Sequence, residues 1–142
     1  MKVLMLNGSC NPKGCTYTAL TEVGKALSSQ GIDYEIVQLD GGPVRDCIGC
    51  NQCSKNGCVF TDDGVNDFIA KARQADGFVF GTPVYYAHPS GRVLSFLDRV
   101  FYAGGSAFAG KPGAAVASAR RAGTTASLDA LGKYFGISDM VT

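Results

Sequence analysis

The sequence predicts an α/β fold of three layers, in which an open parallel sheet is covered by helices on both faces. Short apolar runs alternate along the chain with segments whose apolar residues recur at helical spacing, which is typical of βαβ units. Two of these runs are apolar without interruption, as expected of central strands covered on both faces. With 142 residues and 46% apolar content, the chain suits one core, so residues 1–142 are predicted to form a single domain.

Four strands are predicted in chain order. Residues 2–6 and 77–81 are continuous apolar runs and should be neighbours in the middle of the sheet. Residues 32–39 alternate in polarity, which indicates a strand near an edge. Residues 112–119 form a fourth strand of small residues. The predicted order is 2-1-3-4, followed by a fifth strand if one is present. This is the flavodoxin-like arrangement, whose ligand crevice opens between strands 1 and 3.

Four helices lie between and after these strands, and each is predicted from one stripe of apolar residues three, four or seven positions apart. The stripes, helix by helix, are Leu20, Val23 and Leu27; Val65, Phe68, Ile69 and Ala72; Val93, Leu97, Val100 and Phe101; and Leu128, Leu131 and Phe135. Gly31 and Gly136 are expected to end the first and fourth helices. Asp62 and Asp63 are expected to cap the start of the second.

The loop after the first strand has the composition of a phosphate-binding loop. A helix N-terminus carries unpartnered N–H groups and a partial positive charge, which suit a phosphate dianion. Ser9, Thr16 and Thr18 offer hydroxyl donors there. The motifs GxGxxG and GxxxxGK[ST] are both absent, and a plain βα turn is the alternative. Cys10 and Cys15 are expected to be buried as small apolar groups.

Two further loops are predicted at the same end of the sheet. Residues 81–91 follow the third strand, are fixed by prolines and carry the adjacent Tyr85 and Tyr86. Residues 118–125 follow the fourth strand and enter a helix. A phosphate loop with two loops that grip a flat ring fits flavin mononucleotide (FMN) at this switch point. Ordinary packing is the alternative for either tyrosine alone.

Four of the six cysteines are clustered in the loop after the second strand. Cys47, Cys50, Cys53 and Cys58 are separated by two, two and four residues, close to the compact runs whose thiolates ligate a [4Fe–4S] cluster. Zinc is one alternative, although its CxxC pairs usually lie farther apart. A redox disulfide and free thiols are the others. A cluster here would lie at the same sheet end as the flavin.

Together these motifs resemble those of NAD(P)H-dependent FMN reductases of the flavodoxin-like superfamily, in the branch similar to iron–sulfur flavoproteins. The residues that carry the resemblance are Gly8, Ser9, Gly14 and Thr16; the four clustered cysteines with Asp62 and Asp63; residues 82–86; Ser90 and Gly91; and Arg121 with residues 123–125. They extend from the first strand into the fourth helix.

The resemblance implies three groups of flavin-binding residues. The phosphate would be held by Ser9, Asn11, Gly14, Cys15 and Thr16. The flavin ring would be lined by Pro83, Val84, Tyr85 and Tyr86. The pocket would be completed by Ser118, Arg121, Gly123 and Thr124.

The resemblance also implies an activity. FMN would take a hydride from NADH or NADPH as co-substrate and pass electrons to an acceptor such as free flavin, a quinone or iron. An electron-transfer iron–sulfur flavoprotein that does not oxidise NAD(P)H itself is the alternative, and a flavin-free binding module is a second. Because the flavin carries the chemistry, no catalytic side chain is expected.

Charge and hydropathy exclude several partners. The net charge of +1, with scattered Lys and Arg, provides no basic stripe for nucleic acid. No apolar run approaches a membrane span or a signal-peptide core, so a cytoplasmic protein without a membrane partner is expected.

The C-terminal part of the sequence departs from the family pattern. Members usually carry a fifth strand and a final helix, whereas only residues 136–142 follow the fourth helix here. The expectation is a C-terminal truncation with a short or missing fifth strand. Residues 114–117 would then form an open apolar edge, and a homo-oligomer is predicted to cover it.

Overall fold

The computed structural model describes residues 1–39, 41–53 and 57–142. Its elements in chain order are β1 (Lys2–Asn7), α1 (Cys15–Ser29), β2 (Asp33–Gln38), α2 (Val65–Ala72), β3 (Gly77–Tyr85), β4 (His88–Pro89), α3 (Gly91–Gly104), a 3-10 turn (Gly105–Ala107), β5 (Gly113–Ser118) and α4 (Thr124–Ile137). No helix in these ranges is long and apolar enough to cross a membrane.

Four parallel strands form the centre of the fold in the order β2-β1-β3-β5. β1 is paired on both sides, with Val3 opposite Tyr34 of β2 and opposite Gly77 of β3. The two-residue β4 runs antiparallel to the end of β3. The predicted parallel sheet and its strand order are confirmed, and β4 is an addition that the sequence did not indicate.

Helices cover both faces of the sheet. Successive side chains of a strand point to opposite faces. Leu4 and Leu6 accordingly join the large cluster under α2, α3 and α4, while Met5 packs with Leu20 of α1 on the other face. The loops at the carboxyl ends of the strands therefore rest on a packed core.

Two predicted boundaries and one predicted buried position are wrong. α4 continues through Gly136 to Ile137, because a glycine in open space costs a helix only about 1 kcal/mol. Leu128 is 41% exposed and lies outside the buried stripe of that helix. β3 extends to Tyr85, since its end pairs with β4 instead of entering a loop directly.

β5 is the edge strand of the described sheet. Val141 forms an isolated bridge to Pro112, and its carbonyl accepts the Gly113 N–H at 2.8 Å. Within the described ranges, the outer side of residues 114–118 has no further strand beside it.

Candidate functional site

The loops after β1, β3 and β5 meet at the carboxyl edge of the sheet, where the sequence predicts the ligand crevice. Thr16 at the start of α1 and Ser118 at the end of β5 share a hydrogen bond, with their hydroxyl oxygens 2.8 Å apart. A Cβ atom on Gly123 would lie 2.4 Å from the Cα atom of Ala87. The loop after β5 therefore packs directly on the β3–β4 turn, and the three loops form one surface.

The loop between β1 and α1 is shaped by its own side chains. The Oδ1 atom of Asn7 accepts the Ser9 N–H at 3.2 Å, and the Ser9 hydroxyl accepts the Asn11 N–H at 3.1 Å. The Oδ1 atom of Asn11 in turn accepts the Lys13 N–H at 3.1 Å. These turns lead to Gly14, the N-cap of α1, which provides no side-chain cap. The first N–H groups of the helix are thus uncapped by side chains.

The three hydroxyls of this loop are placed differently. Ser9 and Thr16 are buried, whereas Thr18 is exposed. The Thr18 hydroxyl donates to the Gly14 carbonyl at 3.2 Å. Thr18 therefore supports the first turn of α1 from outside, and only Ser9 and Thr16 lie within the converging loops.

Cys10 and Cys15 are both exposed, so the expectation that they are buried is wrong. The core-facing positions of this segment are taken by Thr16 and other residues, and both thiols lie on the solvent side. Cys10 accepts a hydrogen bond from Arg92 of α3 at 2.8 Å. Arg92 also donates to the Gly42 carbonyl at 2.7 Å. α3 thus joins the β1–α1 loop to the segment that follows β2.

The β3–β4 turn carries the tyrosines expected beside the flavin ring. Tyr86 and Ala87 have φ angles of 54° and 60°, as in a type I′ turn, where Asn and Gly are the usual residues. The side chain of Tyr86 is fully exposed, and Tyr85 is 54% exposed. The Thr82 hydroxyl accepts the Ser90 N–H at 3.1 Å and closes the base of the hairpin. An unfavourable backbone conformation that holds an aromatic ring in solvent is typical of a functional surface.

The remaining predicted flavin residues surround this turn. Pro83 is buried and Val84 is half-buried at the end of β3. Arg121 is exposed, and Thr124 is half-buried at the start of α4. Gly123, at φ 98°, is the N-cap of α4 and provides no side-chain cap. A second helix therefore begins at this surface with its first turn uncapped by side chains.

The four clustered thiols share one cavity of about 450 Å³. Its lining includes Cys47, Cys50, Cys53, Cys58, Phe60, Arg99 and Tyr102. Burial, together with the neighbouring thiols of Cys58, Cys50 and Cys47, raises the pKa of Cys53. The Cys53 sulfur therefore lies within electrostatic reach of the other three thiols.

The described thiols do not form a site for a single metal ion. Among residues 1–39, 41–53 and 57–142, no three His, Cys, Asp or Glu side chains stand close enough to hold one metal ion. A four-iron cluster is bound at its corners by separate thiolates. The four cysteines that line the cavity supply the number of thiolates that such a cluster would need.

Cys58 is held from two sides. The side chain of Asn66 accepts the Cys58 N–H and donates to the Cys58 carbonyl, each at 2.8 Å. The Nε atom of Arg99 donates to the Cys58 sulfur at 3.3 Å. Both the backbone and the thiol of Cys58 are therefore fixed.

Asp62 and Asp63 pair with arginines instead of capping α2. The N-cap of α2 is Gly64, which has a left-handed conformation, so the predicted aspartate caps are wrong. Asp62 accepts two hydrogen bonds from Arg45, one at 2.9 Å. Asp63 forms a salt bridge with Arg99. A buried guanidinium requires a counter-charge, and this requirement decides the role of Asp63.

Arg99 is a functional candidate that sequence analysis missed. It interrupts the buried stripe of α3 between Phe96 and Val100, and its side chain is only 1% exposed. A charged residue within an otherwise apolar stripe was the available signal. Arg92 had no comparable signal, because its contacts depend on segments distant in sequence. Asn66 contacts a loop only six to eight positions away, but no sequence pattern marked it.

Comparisons with known proteins give a family match. The model of a family described as NADPH-dependent FMN reductase matches residues 1–142. An iron–sulfur flavoprotein of Methanocaldococcus jannaschii is 32% identical over 145 aligned positions, which cover 99% of this chain and 75% of the relative. One of Archaeoglobus fulgidus is 33% identical over 99 positions, covering 70% of this chain and 48% of the relative. The chain thus spans three quarters of one relative and about half of the other.

Solved structures share the fold. A flavoenzyme NAD(P)H:(acceptor) oxidoreductase from Paracoccus denitrificans superposes with a TM-score of 0.71 at 15% identity, over 99% of this chain and 73% of that one. A flavodoxin from the domain Archaea superposes with a TM-score of 0.68 at 14% identity, over 99% and 77%. At this identity the likeness concerns the fold, which is flavodoxin-like as predicted.

Proposed function

Because this chain belongs to the NADPH-dependent FMN reductase family, we propose that it binds FMN at the carboxyl edge of its sheet and oxidises NADH or NADPH. The bound flavin would supply hydride and electron-transfer chemistry toward an acceptor such as free flavin, a quinone or iron. The observation that carries this proposal is the meeting of three loops at one edge, held by the Thr16–Ser118 hydrogen bond and the Gly123–Ala87 contact.

The loop between β1 and α1 is the proposed phosphate seat. The first turn of α1 has no side-chain cap and carries the positive end of the helix dipole. The residues that would hold the phosphate are Ser9, Asn11, Gly14, Cys15 and Thr16. The turn formed by Asn11 fixes the approach of the chain to the helix, so a dianion would meet N–H groups that are already oriented.

The hairpin turn and the loop after β5 are the proposed ring site. Tyr85 and Tyr86 offer aromatic surface in solvent, and Pro83 and Val84 precede them in β3. The other side would be formed by Ser118, Arg121, Gly123 and Thr124. These residues would orient the ring for reaction with a nicotinamide. No side chain is required as a general acid or base.

Anaerobic titration tests this proposal. FMN is added to the purified protein and its fluorescence followed, and NADH or NADPH is then added to the complex. We expect quenching on binding, followed by bleaching of the flavin absorbance at about 450 nm. Absence of FMN binding would overturn the proposal. Binding without bleaching by either nucleotide would overturn NAD(P)H oxidation alone and leave electron transfer.

A second candidate function is electron transfer between FMN and an iron–sulfur cluster without oxidation of NAD(P)H. The shared cavity of the clustered cysteines favours it, and both relatives described above bear the name iron–sulfur flavoprotein. We propose that Cys47, Cys50, Cys53 and Cys58 hold a [4Fe–4S] cluster, which would supply one-electron transfer.

Iron and sulfide analysis after anaerobic reconstitution tests the cluster. We expect about four iron atoms per chain, the content of a [4Fe–4S] cluster, and their loss in Cys58→Ser. Cys10→Ser is the matched control, because Cys10 lies outside the cysteine cavity. Wild-type protein without iron, or equal iron in both variants, would overturn this assignment.

We also propose that a second copy of the chain covers the outer edge of β5. The Gly113 N–H points outward to Val141, and alternate residues of a strand point the same way, so the N–H of Ala117 faces this edge too. Proline there would block pairing without removing a bond to β3. Light scattering after size-exclusion chromatography should show that the wild-type protein is an oligomer and that the Ala117→Pro variant is a monomer. A monomeric wild-type protein would contradict this proposal.

A further inference from the structure

We propose that Arg99 is a positioning residue for the cysteine cavity, where it fixes the Cys58 sulfur and raises the reduction potential of a bound iron–sulfur cluster. This inference rests on the [4Fe–4S] cluster proposed above. It assigns a role to a residue that binds neither flavin nor iron.

The burial of Arg99 requires an explanation. Its side chain is 1% exposed, and it is the largest of the fully buried side chains. It occupies a position of α3 between Phe96 and Val100 that an apolar side chain would fill at lower cost. A buried guanidinium is tolerated only where its charge and its N–H groups have partners.

Those partners all lie on the loop that carries the cysteines. Arg99 pairs with both carboxylate oxygens of Asp63, one at 3.1 Å. It donates to the carbonyl of Arg45 at 3.3 Å and to that of Phe60 at 3.4 Å, and it lies 5.0 Å from the centre of the Phe60 ring. The Arg99 guanidinium thus contacts the loop both before and after the described cysteines in sequence.

The remaining donor reaches a thiol. The Nε atom lies 3.3 Å from the sulfur of Cys58, whose backbone is fixed by Asn66 at 2.8 Å on both its N–H and its carbonyl. Cys58 is therefore held in one orientation from both ends. Outer partners that orient a ligand in this way also tune the metal group it binds.

The direction of the tuning follows from charge. A reduced cluster carries one more negative charge than the oxidised cluster, and that charge spreads onto the ligand sulfurs. An N–H donor to a sulfur therefore stabilises the reduced form more. The potential of the cluster should be higher with Arg99 than without it.

The test is a dithionite titration of the reconstituted protein under anaerobic conditions, with electron paramagnetic resonance of the one-electron-reduced cluster. Arg99→Lys keeps a positive charge beside Asp63 but lacks the Nε donor and the planar fork. The double variant Arg99→Met with Asp63→Asn removes the charged pair together and protects against misfolding from an unpaired carboxylate. Arg45→Lys is the control, since the side chain of Arg45 pairs with Asp62 in the same loop.

We expect the cluster to be harder to reduce in both Arg99 variants. The equilibrium constant for its reduction should fall by about tenfold, which is the scale of one charge-assisted hydrogen bond. For a one-electron couple this is about 59 mV. The resonance signal should change as well, while Arg45→Lys matches wild type. Iron loss in both variants with an unchanged unfolding temperature would also support the positioning role.

Two outcomes would overturn the inference, and they are distinguishable. Wild-type protein that takes up no iron would overturn the cluster proposal and this inference with it. Wild-type protein with a cluster whose potential and resonance signal are unchanged in both Arg99 variants would overturn the role of Arg99 alone.

Discussion

The hydroxyl oxygens of Thr16 and Ser118 lie 2.8 Å apart, although the two residues are 102 positions apart in sequence. The bond joins the first turn of α1 to the end of β5. Because Thr16 is buried, the shape of the proposed phosphate seat depends on the loop that follows β5.

Thr16→Val should weaken FMN binding and destabilise the fold. It removes the hydroxyl at nearly constant shape and leaves that of Ser118 without this partner. A double-mutant cycle with Ser118→Ala should give a coupling energy of about 0.5–1.5 kcal/mol in urea unfolding. Thr21→Val is the control, because the Thr21 hydroxyl bonds within α1, to the Tyr17 carbonyl at 2.9 Å. A coupling energy near zero would contradict the importance of this bond.

Gly123→Ala should destabilise the protein and reduce FMN affinity together. The residue has φ 98°, and a Cβ would meet the backbone of Ala87 at 2.4 Å, so we expect a loss above about 1–2 kcal/mol. The measurements are thermal unfolding and FMN titration. Gly136→Ala is the matched control within α4, where a Cβ meets open space, and it should stabilise by about 0.5–1 kcal/mol. Equal effects of the two substitutions would contradict the packing described here.

Tyr86→Ala should raise the dissociation constant of FMN with little change in stability. The ring is fully exposed, so its removal opens no cavity. Loss of one aromatic contact of about 0.5–1.5 kcal/mol corresponds to roughly two- to tenfold weaker binding. Tyr102→Ala, which removes a ring 75% exposed on α3, is the control for FMN affinity. Unchanged binding in Tyr86→Ala would remove this tyrosine from the ring site.

Glu35→Gln should reduce the sensitivity of the fold to acid. Hydrogen bonds from Lys2, and then from Lys71, hold the pKa of Glu35 below its ordinary value of 4.5. A depressed folded-state pKa contributes stability above the unfolded value, and this is lost as pH falls through the folded value.

The test of this prediction is urea unfolding at pH 7 and at pH 3. At neutral pH the exposed pairs are worth about 0.2–1 kcal/mol each, so Glu35→Gln should be less stable than wild type there and closer to it at pH 3. Glu22→Gln, which loses one exposed pair with Lys25 on α1, should change less. A difference from wild type that is the same at both pH values would refute the linkage.

The fold was largely predictable because its signals are local. Continuous apolar runs predicted β1 and β3 as central neighbours, and helical spacing identified Val65, Phe68, Ile69 and Ala72, all of which are buried. The family resemblance is confirmed by the match over residues 1–142. The predicted boundaries failed where the local signal was weak: a glycine costs α4 little at Gly136, and the end of β3 pairs with β4.

The site was predictable in outline but not in its supporting contacts. The topology brings the predicted loops to one edge, which the sequence order of strands and loops implies. Arg99 and Arg92 act on segments far from them in sequence, so no local pattern indicated their partners. The prediction that Asp63 caps α2 failed for the same reason, since a guanidinium 36 positions away takes its carboxylate.

α3 carries Arg92 and Arg99 about two turns apart, or about 10 Å along its axis. The first contacts Cys10 of the β1–α1 loop and the second contacts Cys58 of the cysteine cavity. One rigid helix therefore fixes the spacing between the loop proposed to hold the flavin phosphate and the thiols proposed to hold the cluster. Bending this helix would change that spacing while leaving the residues of either site in place.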